Sequence, residues 1–289
     1  MEFNLADLME SVADAISDRE ALVCGDRRLS FGELDRRATQ LAHVLSAAGV
    51  GPDDHVGVYL YNGNEYLEAM LAAFKIRAVP VNVNYRYVAD ELRYLLADSD
   101  CRVVLHEPEF ASTLEAVRAD LPLLGMTLAR GDDYEAALAA ASDERDFGPR
   151  SSDDLYVLYT GGTTGMPKGV LWRHEDIFFA ALGGSGTLTG TPITSPEEVA
   201  RRALDGHIRG VPACPFMHGT AHWMAFSVLF AGGTIVVSTD RRLEPARLWT
   251  LVADEAIAYL VIVGDAFARP LVDALEADGG LAKRLGGLS

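Results

Sequence analysis

Residues 159–170 combine backbone and side-chain groups that could bind a polyphosphate. The segment reads Tyr-Thr-Gly-Gly-Thr-Thr-Gly-Met-Pro-Lys-Gly-Val, with four glycines, three threonines and one lysine. Glycines let backbone N–H groups turn inward, threonine hydroxyls add donors, and Lys168 adds a mobile positive charge. The pattern predicts a buried strand from Leu155 to Tyr159 before the segment and a helix after it. A flexible linker would require neither that strand nor Pro167-Lys168, so the segment favours phosphate binding.

Two common phosphate loops do not fit this segment. The nucleoside-triphosphatase loop has Ser or Thr after its Gly-Lys pair, and its helix starts at the lysine. Here Pro167 precedes Lys168 and Gly169 follows it. The kinase pattern Gly-x-Gly-x-x-Gly is also absent from the segment.

Composition narrows the possible partners. The 289 residues carry a net charge of −17, which disfavours binding to nucleic acid. An anionic ligand must therefore be held by local donors, and we expect Lys168, Arg173 and His174 to form a small basic cluster beside the loop.

The cellular compartment follows from cysteine usage and hydropathy. Cys24, Cys101 and Cys214 are few and unpatterned, which is typical of a reducing compartment. We read Cys214 as a small buried apolar residue. The acidic first residues lack a signal-peptide pattern, and no apolar run is long enough to span a bilayer. We therefore expect a cytoplasmic protein.

Helix and strand patterns alternate along the chain and predict an α/β fold with parallel sheets. Ser30 and Glu33 have capping-box spacing at the start of one helix, and Asn64 is predicted to cap another. A polar stretch at 143–154 suggests a boundary between a first lobe, residues 1–145, and a second lobe, residues 150–289.

The segment from Tyr159 to Val170 resembles the phosphate loop of the adenylate-forming (AMP-binding) superfamily, which includes acyl-CoA synthetases, luciferases and peptide-synthetase adenylation domains. Gly161 replaces the serine of the family pattern Tyr-Thr-Ser-Gly-Thr-Thr-Gly-x-Pro-Lys-Gly-Val. The segments 29–34 and 62–83 resemble further family blocks. The segments 82–87 and 263–270 are similar to actinobacterial acyl-CoA synthetases that act on fatty-acid or steroid side-chain carboxylates.

The resemblance implies a layered, parallel-sheet N-terminal domain and a two-step reaction. A carboxylate and Mg-ATP would give an acyl-adenylate and pyrophosphate, and coenzyme A would then displace AMP to form a thioester. Lys168 would be an electrostatic clamp on ATP, with Thr160 near Mg²⁺. The phosphate contacts implied by the resemblance are Thr160, Gly161, Gly162, Thr163, Thr164, Gly165 and Lys168.

A second group of candidate site residues, after those of the predicted phosphate loop, surrounds His218. The run from Cys214 to Gly219 resembles the family's Pro-x-Phe-His-x-x-Gly segment, which implies that His218 orients the substrate carboxylate. Gly219 and Trp223 would lie on the substrate side, although a Trp and Met stripe is also typical of a core. A structural role for His218 stays open. His218 and His222 have the spacing of a zinc pair, but no third ligand accompanies them, which disfavours a metal site.

The resemblance covers only the N-terminal part of the family. The later Tyr-Gly-x-Thr-Glu segment, the ribose-binding aspartate and the C-terminal domain with the adenylation lysine do not appear. We therefore expect a truncated, incomplete enzyme without turnover of its own, acting in family terms on a long-chain fatty acid or a steroid acid. A stand-alone, non-catalytic nucleotide- or acyl-binding module and an amino-acid adenylation unit remain alternatives. We also expect a homodimer, although the sequence does not define the oligomeric state.

Overall fold

Parallel strands form most of the two larger sheets of the protein. The computed structural model describes residues 1–161, 165–186 and 190–285. Within these ranges the chain forms a five-stranded sheet, a four-stranded sheet and a two-stranded hairpin. Helices pack on the larger sheets, which confirms the α/β class.

The N-terminal half builds the four-stranded sheet, whose strands are all parallel and lie in the order β4-β3-β5-β6. Its elements are α1 (Leu5–Ala15), β1 (Glu20–Cys24), β2 (Arg27–Ser30), α2 (Phe31–Ala47), β3 (His55–Tyr59), α3 (Asn64–Lys75), β4 (Val79–Asn82), α4 (Ala89–Asp98), β5 (Cys101–His106), α5 (Ala111–Arg118), β6 (Met126–Ala129) and α6 (Asp132–Ala140).

The C-terminal half supplies the hairpin and three strands of the five-stranded sheet. Its elements are β7 (Leu155–Thr160), β8 (Lys168–Arg173), α7 (His174–Ala181), α8 (Pro196–Ala203), β9 (Arg209–Pro212), α9 (Gly219–Phe230), β10 (Thr234–Val237), α10 (Pro245–Asp254), β11 (Tyr259–Val261), α11 (Asp265–Ala277) and α12 (Gly279–Arg284). The five-stranded sheet has the order β11-β9-β10-β1-β2, and only β2 runs antiparallel to its neighbour.

The sequence patterns located most of these elements, and one of the two predicted caps is confirmed. The Ser30 hydroxyl accepts the Glu33 N–H at 3.2 Å, and the Glu33 carboxylate accepts the Ser30 N–H at 2.8 Å. The prediction for Asn64 was wrong because Gly63 holds the N-cap position of α3. The Asn64 amide instead donates to the buried Glu68 carboxylate at 2.7 Å, which needs donors inside the protein.

The helix predicted after the loop is confirmed as α7, but strand β8, which was not predicted, lies between the loop and that helix. Strand β8 pairs antiparallel with β7, and helix α7 begins only at His174. Val170 and Trp172 have high strand propensity, so pairing with a buried neighbour strand outweighs the expected strand–loop–helix order. The site is therefore built on a hairpin.

The sequence patterns also missed the elements before Ser30. Strand β1 pairs in parallel with β10, with Leu22 opposite Ile235. This pairing joins residues 20–24 to the C-terminal half and so crosses the predicted boundary between lobes 1–145 and 150–289. That division stays a prediction.

Helix length and hydropathy bear on membrane insertion. Among the residues the structure describes, no helix is both long enough and apolar enough to cross a lipid bilayer.

Candidate active site

The hairpin places Thr160 and Lys168 directly opposite each other. They are the last residue of β7 and the first of β8, and they form a cross-strand pair. Side chains of such a pair project from the same face of a hairpin. Both residues are exposed, as are Gly161 and Gly165 in the connecting loop. The predicted contacts Gly162, Thr163 and Thr164 lie outside the described residues.

Gly169 lets the hairpin close around an aromatic ring. A Cβ atom at Gly169 would lie 3.0 Å from the ring of Tyr159, its cross-strand neighbour, and 3.0 Å from Val157. The Tyr159 hydroxyl donates to Asp98 at 2.9 Å and so ties the end of β7 to α4. Gly169 therefore has a structural function in the hairpin. Its position directly after Lys168 also distinguishes this segment from the nucleoside-triphosphatase loop.

The face of the hairpin that carries Thr160 packs against the start of α9. Leu158 is on this face two residues before Thr160, and a Cβ atom on Gly219 would meet its Cδ2 atom at 2.7 Å. Tyr156, a further two residues back, hydrogen-bonds to side chains of α9. The fold thus brings the predicted phosphate loop and the predicted carboxylate segment to the same side of the hairpin.

His218 occupies the N-cap position of α9, next to the positive end of the helix dipole. The side chain is exposed, and its backbone N–H donates to the Pro215 carbonyl oxygen at 3.0 Å. Packing around the ring, and secondarily the positive charge of Arg86, lower the pKa of His218 below its usual value of 6.5. A neutral imidazole at this position can donate or accept a hydrogen bond toward a carboxylate.

Gly219 and Trp223 lie one helical turn apart on the same face of α9. Gly219 is buried, and the half-buried Trp223 donates its indole N–H to the Tyr156 hydroxyl at 2.9 Å. This bond fixes the orientation of the ring. The function of Trp223 in an acyl tunnel remains a prediction, whereas the neighbouring Met224 and Phe226 are buried in the main hydrophobic core.

His222 is in a different environment from His218. Its Nε2 atom lies 2.7 Å from the Tyr156 hydroxyl, and burial, which is the dominant cause, lowers its pKa to about 3. His222 is therefore neutral and is hydrogen-bonded to Tyr156 inside the protein. Within 1–161, 165–186 and 190–285, no group of three or more His, Cys, Asp or Glu side chains is arranged to hold a metal ion.

The predicted basic cluster is wrong for two of its three members. His174 is fully buried, and that burial lowers its pKa to about 4, so it is neutral near pH 7. Its Nδ1 atom accepts the Leu5 backbone N–H at 3.3 Å. Arg173 pairs with Asp153 at 2.7 Å and with Glu175 at 2.9 Å. In the described part of the chain, Lys168 is therefore the one residue of the three that is both exposed and without a carboxylate within ion-pair distance.

Three residues lie behind the site, one that was expected there and two asparagines that sequence reasoning missed. Cys214 is fully buried, as predicted, and burial raises the pKa of its thiol to about 11. The sequence predicts a turn at Asn62-Gly63 and places Asn62 and Asn82 in one family block, but it does not predict that both side chains hold the segment that leads to His218. An asparagine that ends a buried strand, as Asn82 does, was the available signal.

A cleft of about 80 Å³ opens beside the His218 segment, at the carboxyl ends of strands from both larger sheets. This edge of an open parallel sheet is where ligands commonly bind. The Arg241 guanidinium lies 4.6 Å from the centroid of the Tyr61 ring, and the Arg86 guanidinium lies 5.8 Å from that of Tyr85. The two tyrosine rings are 4.8 Å apart. Sequence patterns predicted no ligand contact at these residues.

Thr160 is the only predicted metal contact, so its fit to Mg²⁺ can be judged by chemistry. Mg²⁺ is usually held by few protein ligands together with phosphate oxygens and water. One exposed hydroxyl at the mouth of a phosphate loop fits that arrangement, in which ATP would supply the other oxygen ligands.

Comparison with known proteins identifies the class to which this fold and site belong. The AMP-binding enzyme family matches residues 9–288, nearly the whole chain. The chain therefore belongs to this family.

Two relatives narrow the comparison within the family. The chain is 41% identical over 290 residues to a 3-oxocholest-4-en-26-oate–CoA ligase of Rhodococcus rhodochrous, covering 96% of this chain and 52% of that protein. It is 39% identical over 302 residues to the medium-chain acyl-CoA ligase Mig of Mycobacterium avium, covering 95% of this chain and 54% of that protein. The chain thus spans about half the length of these relatives.

A solved structure supports the fold. The inhibitor-bound N-terminal domain of FACL13 from Mycobacterium tuberculosis superimposes with a TM-score of 0.82 at 22% identity. The match covers 98% of this chain and 67% of that one. At this identity the likeness establishes the architecture of an N-terminal domain in this family.

Proposed function

We propose that the protein contributes the phosphate-binding and carboxylate-binding parts of an AMP-forming acyl-CoA ligase. The observation that carries this proposal is the placement of Thr160 and Lys168 as a cross-strand pair on the hairpin face that packs against the start of α9. A triphosphate held by the loop and a carboxylate held near His218 would then lie on the same side of the hairpin.

The first step joins two anions, because a carboxylate oxygen attacks the α-phosphorus of ATP and pyrophosphate leaves. Lys168 and the loop donors spread the charge of the β- and γ-phosphates as that bond breaks. Mg²⁺, which Thr160 would help to hold, neutralises phosphate charge when it is bound. Neutral His218 and the positive end of α9 orient the carboxylate, which is already ionised and needs no general base.

The substrate class that we propose is a medium- or long-chain fatty acid or a steroid side-chain acid; the names of the two relatives support the medium-chain and the steroid acid. Coenzyme A would accept the acyl group in the second step. We also propose a cytoplasmic location and a homodimer. By itself the 289-residue chain would bind ATP weakly and would not turn over, since it spans about half of its relatives.

The test measures equilibrium binding, which does not depend on turnover. Calorimetry on the purified chain would compare AMP with stable 5′-O-acylsulfamoyl adenosines that carry a decanoyl, a steroid side-chain acyl or a phenylalanyl group. We expect the decanoyl or steroid analogue to bind more tightly than AMP and than the phenylalanyl analogue. Equal affinity for all of them would contradict the proposal, and preference for the phenylalanyl analogue would favour amino-acid adenylation.

Lys168 can be tested in the same assay with a matched control. The chain has three lysines, of which Lys75 is buried in an ion pair while Lys168 and Lys283 are exposed. Lys168→Ala should weaken Mg-ATP binding about tenfold and leave the decanoyl analogue, which has no β- or γ-phosphate, nearly unchanged. Lys283→Ala removes the same charge elsewhere and should have little effect. Equal ATP affinities of the two variants would remove Lys168 from the site.

A further inference from the structure

Asn82 connects the two segments on which the proposed reaction depends. It is the last residue of β4, is 7% exposed, and packs between the end of β7 and the turn that precedes α9. Its side-chain amide has two N–H donors and one carbonyl acceptor to satisfy in this buried position. The protein satisfies all three with backbone groups.

Two of the three hydrogen bonds hold the residue immediately before Thr160. The Asn82 Oδ1 atom accepts the Tyr159 backbone N–H at 2.7 Å, and Nδ2 donates to the Tyr159 carbonyl oxygen at 2.8 Å. The side chain therefore pairs with Tyr159 as a neighbouring strand would. These two bonds fix the backbone of Tyr159 at the end of strand β7, directly before Thr160.

The third hydrogen bond holds the residue immediately before His218. Nδ2 also donates to the Met217 carbonyl oxygen at 2.8 Å, and Met217 is buried. Asn62 holds the earlier part of the same turn, because it donates to the Cys214 carbonyl oxygen at 3.2 Å and accepts the Phe216 N–H at 2.7 Å. Among the described residues, the Asn62 side chain hydrogen-bonds only to this turn, whereas that of Asn82 hydrogen-bonds to both segments.

We propose that Asn82 is a positioning residue that sets the distance between the phosphate loop and the carboxylate-binding segment. This inference rests on the proposed function. Attack of a carboxylate on the α-phosphorus requires near-contact alignment, and a displacement of about 1 Å can lower the rate about a hundredfold. A single side chain bonded to both backbones couples their positions. Of the common replacements, aspartate keeps the shape and the acceptor but loses both donors.

Hydrogen exchange tests the Asn82 hydrogen bonds to both segments without any ligand. Asn82→Ala should speed amide exchange in peptides covering 155–161 and 214–219, because it removes the acceptor of the Tyr159 N–H and the donor to Met217. Asn62→Ala should affect only the second peptide. Asn84→Ala, a change of the same type two residues further on, should affect neither. Unchanged exchange at Tyr159 in Asn82→Ala would overturn the proposal.

Ligand binding tests the positioning function in the same chain. A decanoylsulfamoyl adenosine joins the acyl group to a mimic of the α-phosphate, the two groups that meet in the reaction, whereas AMP and decanoate each carry only one of them. Asn82→Asp should weaken the linked analogue about tenfold or more, with AMP and decanoate each changed less than about threefold. A merely structural contribution would weaken all three ligands alike, and that parallel loss would overturn the proposal, as would unchanged binding of the analogue.

Two further comparisons keep the outcomes distinct. If Asn82→Ala does not fold, as judged by circular dichroism, Asn82→Ser retains one donor and replaces it in the exchange experiment. If the unsubstituted chain does not prefer the linked analogue over AMP, the proposed ligase function fails. In that case hydrogen exchange in the Asn82 variants still decides whether Asn82 holds both segments in place.

Discussion

At the scale of single residues, burial decides which of the candidate groups carry charge. His174 follows directly after the exposed Arg173, and both looked available to an anion in the sequence. In the structure His174 lies against the ring of Phe74 at 4.8 Å and is neutral, because a cation there would lose its hydration. Lys168 is therefore the member of that group that remains to meet a phosphate.

Buried neutral histidines predict loss of stability in mild acid. The pKa of His222 is about 3 in the folded protein and about 6.5 when the residue is exposed. Below pH 6.5 the unfolded chain therefore binds a proton that the folded chain does not, so the stabilisation is complete above pH 6.5 and falls as the pH drops. Between pH 7 and pH 5, His222 and His174 should each lower the free energy of unfolding by about 2 kcal/mol.

Urea denaturation at several pH values would measure this effect. His222→Gln should reduce the loss between pH 7 and pH 5 by about 2 kcal/mol relative to the unsubstituted protein. The same substitution at His207, which is exposed, provides the control. Identical pH dependence of the His222→Gln and His207→Gln proteins would show that His222 is protonated in the folded state.

At the scale of elements, the close approach of β7 and α9 forms the candidate site. Gly219, the first residue of α9, allows this close approach because a Cβ atom there would crowd Leu158 and the Trp223 ring. The phosphate loop could be recognised from its own residues. Its partner strand could not, because the pairing of β7 with β8 depends on burial of β7 against β4 and α9.

Substitution of Gly219 tests this packing. The added methyl of Gly219→Ala would lie 2.7 Å from Leu158 Cδ2 and 3.1 Å from the Trp223 ring, so these side chains must shift in a packed region. We expect the free energy of unfolding to fall by about 1–3 kcal/mol, despite the higher helix propensity of alanine.

The control for this measurement is Gly148→Ala, since a Cβ atom at Gly148 has no atom within 4 Å. Chemical denaturation would compare the two variants. If Gly219→Ala is as stable as Gly148→Ala, the Leu158 and Trp223 side chains can move aside, and the tight contact is not required.

At the scale of the whole molecule, the N-terminal strands complete a sheet of the C-terminal half. The β1–β10 pair and the Arg209–Glu20 ion pair at 2.7 Å both cross the predicted lobe boundary. Asn4 and Arg77 also reach the buried carboxylate of Asp154 at 2.9 Å. Contacts of this kind couple the stability of the two halves.

We therefore expect residues 1–145 and 150–289, expressed separately, to lack cooperative unfolding, because each piece exposes unpaired strands and apolar surface. Mixing the two pieces during refolding should restore a cooperative thermal transition, which circular dichroism would detect. A cooperative transition of residues 1–145 alone would instead show that the predicted first lobe is an independent folding unit.

Local patterns by themselves determined the α/β class, most helices and strands and the Ser30 cap, since each depends on residues near one another in sequence. They also predicted the phosphate loop, and the family resemblance added the predictions for His218 and the substrate class. Only the tertiary structure decided that a strand follows the loop, that His174 and His222 are neutral, and that Asn82 bonds to both site segments. These outcomes depend on burial and on hydrogen bonds between residues far apart in sequence, such as Leu5 and His174, which are 169 positions apart and which no local pattern connects.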